Sequence, residues 1–166
     1  MLNELISQSE ALIFFTGAGI STNSGIPDFR GPKGIWKTSQ PIYFQDFVNS
    51  EEKRIESWER KFSNELNINK AKPNQGHQKI AEIMKKKDLS HLITQNVDNL
   101  HQESGVNDSQ ITELHGNATY AKCLDCQLRY DLAKLKETFL STKEPPQCCE
   151  CNGLIKTATI SFGQAM

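Results

Sequence analysis

Four cysteines stand as two pairs with metal-ligand spacing, Cys123-x2-Cys126 and Cys148-x2-Cys151, separated by 21 residues. Two such knuckles can bring four thiolates into a tetrahedron, the arrangement of a closed structural zinc site. Four protein ligands leave no open position, so the metal would hold its module together and would not activate water. A redox dithiol, or unpaired core cysteines, is the other reading of this spacing. Cys149 is the spare thiol. Far upstream, Thr16-Gly17-Ala18-Gly19-Ile20-Ser21 follows an apolar run. A glycine turn in that position can bring backbone N–H groups up to a pyrophosphate. Thr22 stands where the third glycine of a G-x-G-x-x-G pattern belongs, so a plain strand-to-helix turn competes with that reading. Thr94-Gln95-Asn96-Val97-Asp98-Asn99-Leu100-His101 adds amides and a carboxylate that can hold ribose hydroxyls and a carboxamide. A helix N-cap at Asn96 or Asp98 is the alternative. His115 precedes Gly116, and an imidazole there can take a proton from a sugar hydroxyl near neutral pH. His77 and His91 read as structural, and His101 as a group packing under the site.

The elements that would position these groups follow from the apolar pattern. Leu2 to Glu10 suits a short leading helix, and Ala11-Leu12-Ile13-Phe14-Phe15 a buried parallel strand. Breakers between residues 30 and 42 predict a mobile loop, and Gln45 to Phe62 a helix with Phe47, Val48, Ile55, Trp58 and Phe62 on one side. The charged run Glu51-Glu52-Lys53-Arg54 reads as solvated surface. A second helix is expected over His77 to Lys87, then strands at Ser90 to Thr94 and Ile111 to Leu114. Alternation of strands and helices indicates an α/β fold with a parallel sheet, whose ligands sit beyond the carboxyl ends of the strands. Gly17, Thr94 to Asp98 and His115 all fall at such ends. Three regions result: residues 1–116 as the first part of a Rossmann-like domain with a helical insertion at about 42–70, residues 117–157 as a zinc-binding module around a helix from Leu132 to Leu140, and residues 158–166 as a strand returning to the main sheet.

The 166 residues carry 19 Lys and Arg against 20 Asp and Glu, a formal net charge of -1. That balance argues against capture of nucleic acid or of an anionic membrane. No segment approaches the roughly 20 apolar residues of a membrane-spanning helix. Met1-Leu2-Asn3-Glu4-Leu5 lacks the basic start of a signal or transit peptide, so a cytoplasmic location is expected. Cysteines in a reducing compartment read as metal ligands before disulfides.

As an ordered set, Gly17-Ala18-Gly19-Ile20-Ser21, Gly25-Ile26-Pro27-Asp28-Phe29-Arg30, Thr94-Gln95-Asn96-Val97-Asp98 and His115-Gly116 resemble the sirtuins, a family of NAD-dependent protein-lysine deacylases. The likeness runs from Leu12 to Met166. Asp46-Phe47-Val48 with Arg54 and Trp58, and Pro73-Asn74-x-Gly76-His77, are most similar to the class II branch, which has bacterial members and a mitochondrial one. A eukaryotic source would therefore imply mitochondria. The resemblance implies a Rossmann-like domain, carrying a small zinc-ribbon module, with NAD and acyl-lysine between them. It implies that Gly17, Ala18, Gly19, Asp28, Phe29 and Arg30 contact NAD or close over it, and that Gln95, Asn96 and Asp98 orient nicotinamide and its ribose. The acyl oxygen would attack the ribose carbon as nicotinamide leaves, giving an alkylimidate. His115 would act as general base through the ribose hydroxyls, with Asn96 and Asp98 beside it. The products would be free lysine, nicotinamide and O-acyl-ADP-ribose, and the one zinc ion would be structural.

Departures from the family pattern are Asn152 for the usual glycine, Thr157 for a common proline, and Gln164 in Ser161-Phe162-Gly163-Gln164 where Glu is usual. Family members continue past this point with a peptide-pairing strand, a Gly-Thr-Ser loop and strands for the adenosine half of NAD. The 166-residue chain alone is accordingly expected to be poorly stable or inactive, with an exposed strand edge. Mono-ADP-ribosyl transfer or NAD hydrolysis is the alternative enzymatic reading, and a zinc-containing binding module the non-enzymatic one. Acyl preference, protein targets and oligomeric state are not written in these residues.

Overall fold

The structure, a computed structural model, describes residues 2–28, 31, 40–63 and 68–166. Phe29, Arg30 and most of the loop expected over residues 30–42 lie outside the described residues. After helix α1 (Leu2–Gln8) come three parallel strands, β1 (Ala11–Thr16), β2 (Leu89–Thr94) and β3 (Ile111–Glu113), in the order β1-β2-β3. Thr16 pairs with Thr94 and Thr94 with Glu113, so the three carboxyl ends fall on one line. Helix α4 (Gln75–Lys85) sets Ala81 and Met84 against Leu92 and Val106, with Phe14 and Ile111 alongside. Asn74 starts that helix. Its side chain accepts from the Gly76 N–H, and its own N–H donates to His77 Nδ1.

The apolar run of β1 is not buried on both sides, contrary to the sequence expectation. Side chains of a strand alternate between faces. The helical residues packed against this sheet all meet the Phe14 and Leu92 face, and Ile13 and Phe15 on the other side remain 73% and 62% exposed.

The remaining strands form a separate antiparallel sheet. Strand β4 (Gly116–Cys123) lies between β5 (Arg129–Asp131) and β6 (Ile155–Thr159). The final strand was expected in the main sheet, but it pairs with β4, whose eight residues offer it a full-length partner. Residues 160–166 contain no strand, and the Phe44 N–H donates to the Phe162 carbonyl.

The helix expected over Gln45 to Phe62 is two, α2 (Phe44–Asn49) and α3 (Glu51–Phe62). Ser50 breaks them: its backbone is extended and its hydroxyl accepts from the Lys53 N–H. Glu51 and Glu52 then occupy the first turn, where the helix dipole favours acids, so part of that charged run is a start signal. Arg54 turns back to donate to the carbonyls of Phe47 and Val48. The apolar side of α3 faces the small sheet. Trp58, with Ile55 and Phe62, joins Ala121, Ile155 and the Leu135 and Phe139 side chains of α6 (Leu132–Thr142). Helix α3, grouped by sequence with the Rossmann-like part, therefore packs on the cysteine-bearing sheet, whereas Ile68 of the same insertion joins Ile26, Ala71 and Leu100.

These two faces of β1 make a direct test. Phe14→Ala should cost about 3 kcal/mol of unfolding free energy, whereas Phe15→Lys should change it by no more than about 0.5 kcal/mol. Urea titration of this chain measures both.

Candidate active site and metal centre

The polar side chains at the ends of the parallel strands form a buried network. Gly17 leads from β1 into a 3-10 helix, Ala18–Ser24, closed by Gly25 in the left-handed conformation (φ 85°). That turn delivers Ser21 to the end of β2. Its hydroxyl donates to Asp98 Oδ2 at 2.6 Å and accepts from Asn96 Nδ2 at 3.1 Å. The other carboxylate oxygen of Asp98 accepts the Leu100 N–H at 3.0 Å, at the start of helix α5 (Leu100–Glu103). One oxygen of Asp98 thus serves the backbone at the helix start and the other the cluster. Ser21, Asn96 and Asp98 are all buried.

Two histidines lie beneath them. His77 Nδ1 accepts from the Asn74 N–H, so the ring proton sits on Nε2, 3.4 Å from Ser21 Oγ. Burial pushes the His77 pKa down, against the pull of Asp98, which favours that neutral ring. His101 Nε2 contacts Thr16 Oγ1 at 2.9 Å, and Thr16 in turn donates to Thr94 Oγ1. His101 Nδ1 is buried without a partner. Burial, reinforced by neighbouring His77 and opposed by Asp98, pushes His101 down to about 4. The His77 and His101 ring centroids are 4.9 Å apart.

His115 differs from these two in being exposed. Its Nδ1–H donates to the Gln95 carbonyl at 3.0 Å, so the ring nitrogen not engaged by that carbonyl is Nε2. Gln95 is itself held by an N–H bond to the Thr16 carbonyl, and its side chain is exposed. Gly116 is dictated by packing: its φ is +68°, and a Cβ there would lie 2.0 Å from the Ala158 carbonyl oxygen. Gly17 and Gly19 are the opposite case. A Cβ on either would meet nothing within 4 Å. The folded chain gives no steric reason for glycine there, which fits a ligand that approaches this backbone closely. Asp28 stands apart from the cluster, accepting the Gly31 N–H.

Sequence reasoning gave Ser21, Thr16 and Asn74 no roles, and Thr94 only a place at the strand end. The structure puts Ser21 at the centre of the network, while Asn74 donates to the Ile20 carbonyl and Ser24 Oγ and fixes the turn from outside. A threonine closing each of two apolar strands was the available signal.

The metal centre is built from two matching loops. In each, the first cysteine's N–H donates to a carbonyl five residues on: Cys123 to Leu128 and Cys148 to Gly153. In each, the residue after the second cysteine donates back to the first, Gln127 to Cys123 and Asn152 to Cys148. Gln127 (φ 62°) and Asn152 (φ 58°) are both left-handed, so Asn152 adopts the conformation for which glycine is the usual residue. The sulfurs of Cys123, Cys126, Cys148 and Cys151 lie within 4.8 Å of one another, with Cys123–Cys151 at 3.4 Å and Cys126–Cys148 at 3.5 Å. Zinc–sulfur bonds of about 2.3 Å at tetrahedral angles require sulfurs about 3.8 Å apart, whereas a disulfide requires about 2.05 Å. The four cysteines are positioned to bind one zinc ion. Cys149 is exposed and outside the set.

The Sir2 family model matches residues 17–166. The chain belongs to the Sir2 family. It is 47% identical over 165 residues to an NAD-dependent protein deacetylase of Rhodopseudomonas palustris, covering 99% of this chain and 65% of that protein. An NAD-dependent protein deacetylase 1 of Bradyrhizobium diazoefficiens is likewise 47% identical, with the same coverage. Among solved structures, a Sir2 variant with a deacetylated peptide and 3'-O-acetyl ADP ribose superposes with a TM-score of 0.80 at 34% identity, over 99% of this chain and 65% of that one. Sir2 with a peptide and NAD+ gives 0.75 at 33% identity, over 98% and 64%. The chain thus spans just under two thirds of the length of these relatives. Its parallel sheet is the Rossmann-like sheet of the sirtuin fold.

Two measurements test this region. His101 has a folded-state pKa of about 4, below the ordinary value of 6.5, so the unfolded chain binds the extra proton first. Stability is therefore full above pH 6.5 and falls as the pH drops towards 4, by on the order of 3 kcal/mol from this group, with His77 adding in the same direction. His101→Gln should flatten that slope in urea titrations at stepped pH. In the zinc-loaded protein, a thiol reagent should label Cys149 at once and the other four cysteines only after chelation. Immediate reaction of all five thiols would contradict the metal centre.

Proposed function

We propose that this chain provides the nicotinamide-ribose side and the general base of an NAD-dependent protein-lysine deacylase, with acyl-lysine proteins as substrates. The observation that carries the reading is the orientation of the His115 ring. Its Nδ1–H is committed to the Gln95 carbonyl, and Nε2 is left as an exposed proton acceptor at the strand ends. Bound NAD supplies the ribose carbon that the acyl oxygen attacks and the nicotinamide that leaves. His115 Nε2 accepts a proton from a ribose hydroxyl. Asn96 and Asp98 orient the nicotinamide end, with Ser21 and His77 holding those two side chains in place. Gln95 contacts the same end. Gly17, Ala18 and Gly19 let backbone approach the phosphates, and the family resemblance assigns Asp28, Phe29 and Arg30 to NAD as well. The zinc is structural, since four thiolates complete its coordination.

No helix among the described residues is long and apolar enough to cross a membrane. A reducing compartment, the cytoplasm in a bacterium, suits four thiolates that serve as ligands.

The test incubates the zinc-loaded protein with NAD and a panel of acyl-lysine peptides, followed by mass spectrometry. Nicotinamide and O-acyl-ADP-ribose should appear together, and His115→Ala should reduce both at least about a hundredfold. Nicotinamide release without loss of acyl groups would replace this reading with ADP-ribosyl transfer or NAD hydrolysis. No release from folded protein would favour a binding module.

A further inference from the structure

Lys156 is an unexpected residue for the interior of a strand. It lies in β6, is 3% exposed, and faces Lys122 across the β4–β6 ladder. Burial pushes its ammonium pKa down to about 8, and no carboxylate pairs with it among the described residues. Instead, Nζ donates to two backbone carbonyls of its own strand, Thr157 at 3.3 Å and Thr159. A methionine of similar length would fill the space without the desolvation cost. The charge therefore has to be explained by what it holds.

What it holds is one end of a single peptide unit. The Thr159 carbonyl and the Ile160 N–H belong to the same planar amide. Lys156 grips the oxygen, and the nitrogen donates to the His115 carbonyl at 2.8 Å. A charge-assisted bond at the oxygen polarises the amide and strengthens its N–H as a donor. The neighbouring contacts leave this amide little freedom: Thr159 is paired with Gly116, and Ala158 presses its carbonyl against the same glycine. The side chain of His115 is fixed independently, through Nδ1 to Gln95. His115 thus has two anchors, its ring on the Rossmann-like side and its backbone carbonyl on the zinc-bearing side.

From this geometry we infer that Lys156 is a positioning residue for His115, acting through the Thr159–Ile160 peptide. It rests on the reading of His115 as general base for its consequence in catalysis, and on the hydrogen-bond chain alone for its consequence in structure. The two are measured separately. In zinc-loaded protein, amide hydrogen exchange followed by NMR should show Ile160 exchanging about tenfold to a hundredfold faster in Lys156→Met than in wild type. The His115 ring resonances should shift with it. Zinc content should be unchanged, as should exchange at Cys123, whose N–H bonds Leu128 in the same sheet. Lys156→Arg, which restores a cationic donor, should return Ile160 towards wild type.

Wild-type exchange at Ile160 in Lys156→Met overturns the assignment. Should that variant lose zinc, Lys156→Gln takes its place, and wild-type exchange there overturns it equally. In the nicotinamide-release assay, Lys156→Met should lower kcat several-fold and leave KM for NAD within about twofold. A proportional rise in KM instead would contradict a role through His115. Absence of turnover in the wild type would remove the proposed function and leave the exchange result standing.

Discussion

A carboxylate buried without a cation organises the Rossmann-like part of this molecule. Asp98 is 5% exposed, and among the described residues no ion pair reaches it. Removing such a group from water is tolerable only where hydrogen bonds replace the lost hydration. Here the replacements are the Ser21 hydroxyl and the Leu100 N–H, both neutral, and they come from opposite directions in the chain. Satisfying one carboxylate thereby requires the turn after β1, the loop after β2 and the start of α5 to meet at one point. Asn96 and His77 in turn saturate the serine oxygen. The elements are held by packing, but their relative placement at the strand ends answers to this acid.

How much of this was visible in the sequence depended on range. Local patterns carried well: the strand at Ser90 to Thr94, the helix after Asn74, and the two cysteine knuckles all formed near their expected positions. The break at Ser50 was missed because apolar spacing continues across it, while the cap is a single hydroxyl on Lys53 N–H. The partner of the last strand was missed for a different reason. Residues 155–159 have an apolar and β-branched character that suits either sheet, and only the register with β4 decides. Ser21 is the most instructive case. Its type and place in the turn were plain, yet its importance depends on Asp98, 77 positions away.

The two sheets are joined where His115 meets Gly116. His115 carries a side-chain bond to the loop after β2, while its backbone carbonyl receives Ile160 from the other sheet's last strand. Gly116 allows the closest approach, since any Cβ would collide with the Ala158 carbonyl. The cysteine-bearing sheet, with α3 and α6 packed on it, is consequently part of the frame that sets one side of the strand-end cluster. The four-cysteine centre can matter to the strand-end cluster through this shared dipeptide.

The paired left-handed residues Gln127 and Asn152 give the metal loops a stored tension. Each holds a Cβ in a conformation costing about 1 kcal/mol, where glycine would hold none. Backbone bonds hold both residues there, Gln127 N–H to the Cys123 carbonyl and Asn152 N–H to the Cys148 carbonyl. The shape that gathers the four sulfurs is thus set by the polypeptide, and the strain of two left-handed residues is part of what assembling the cage costs.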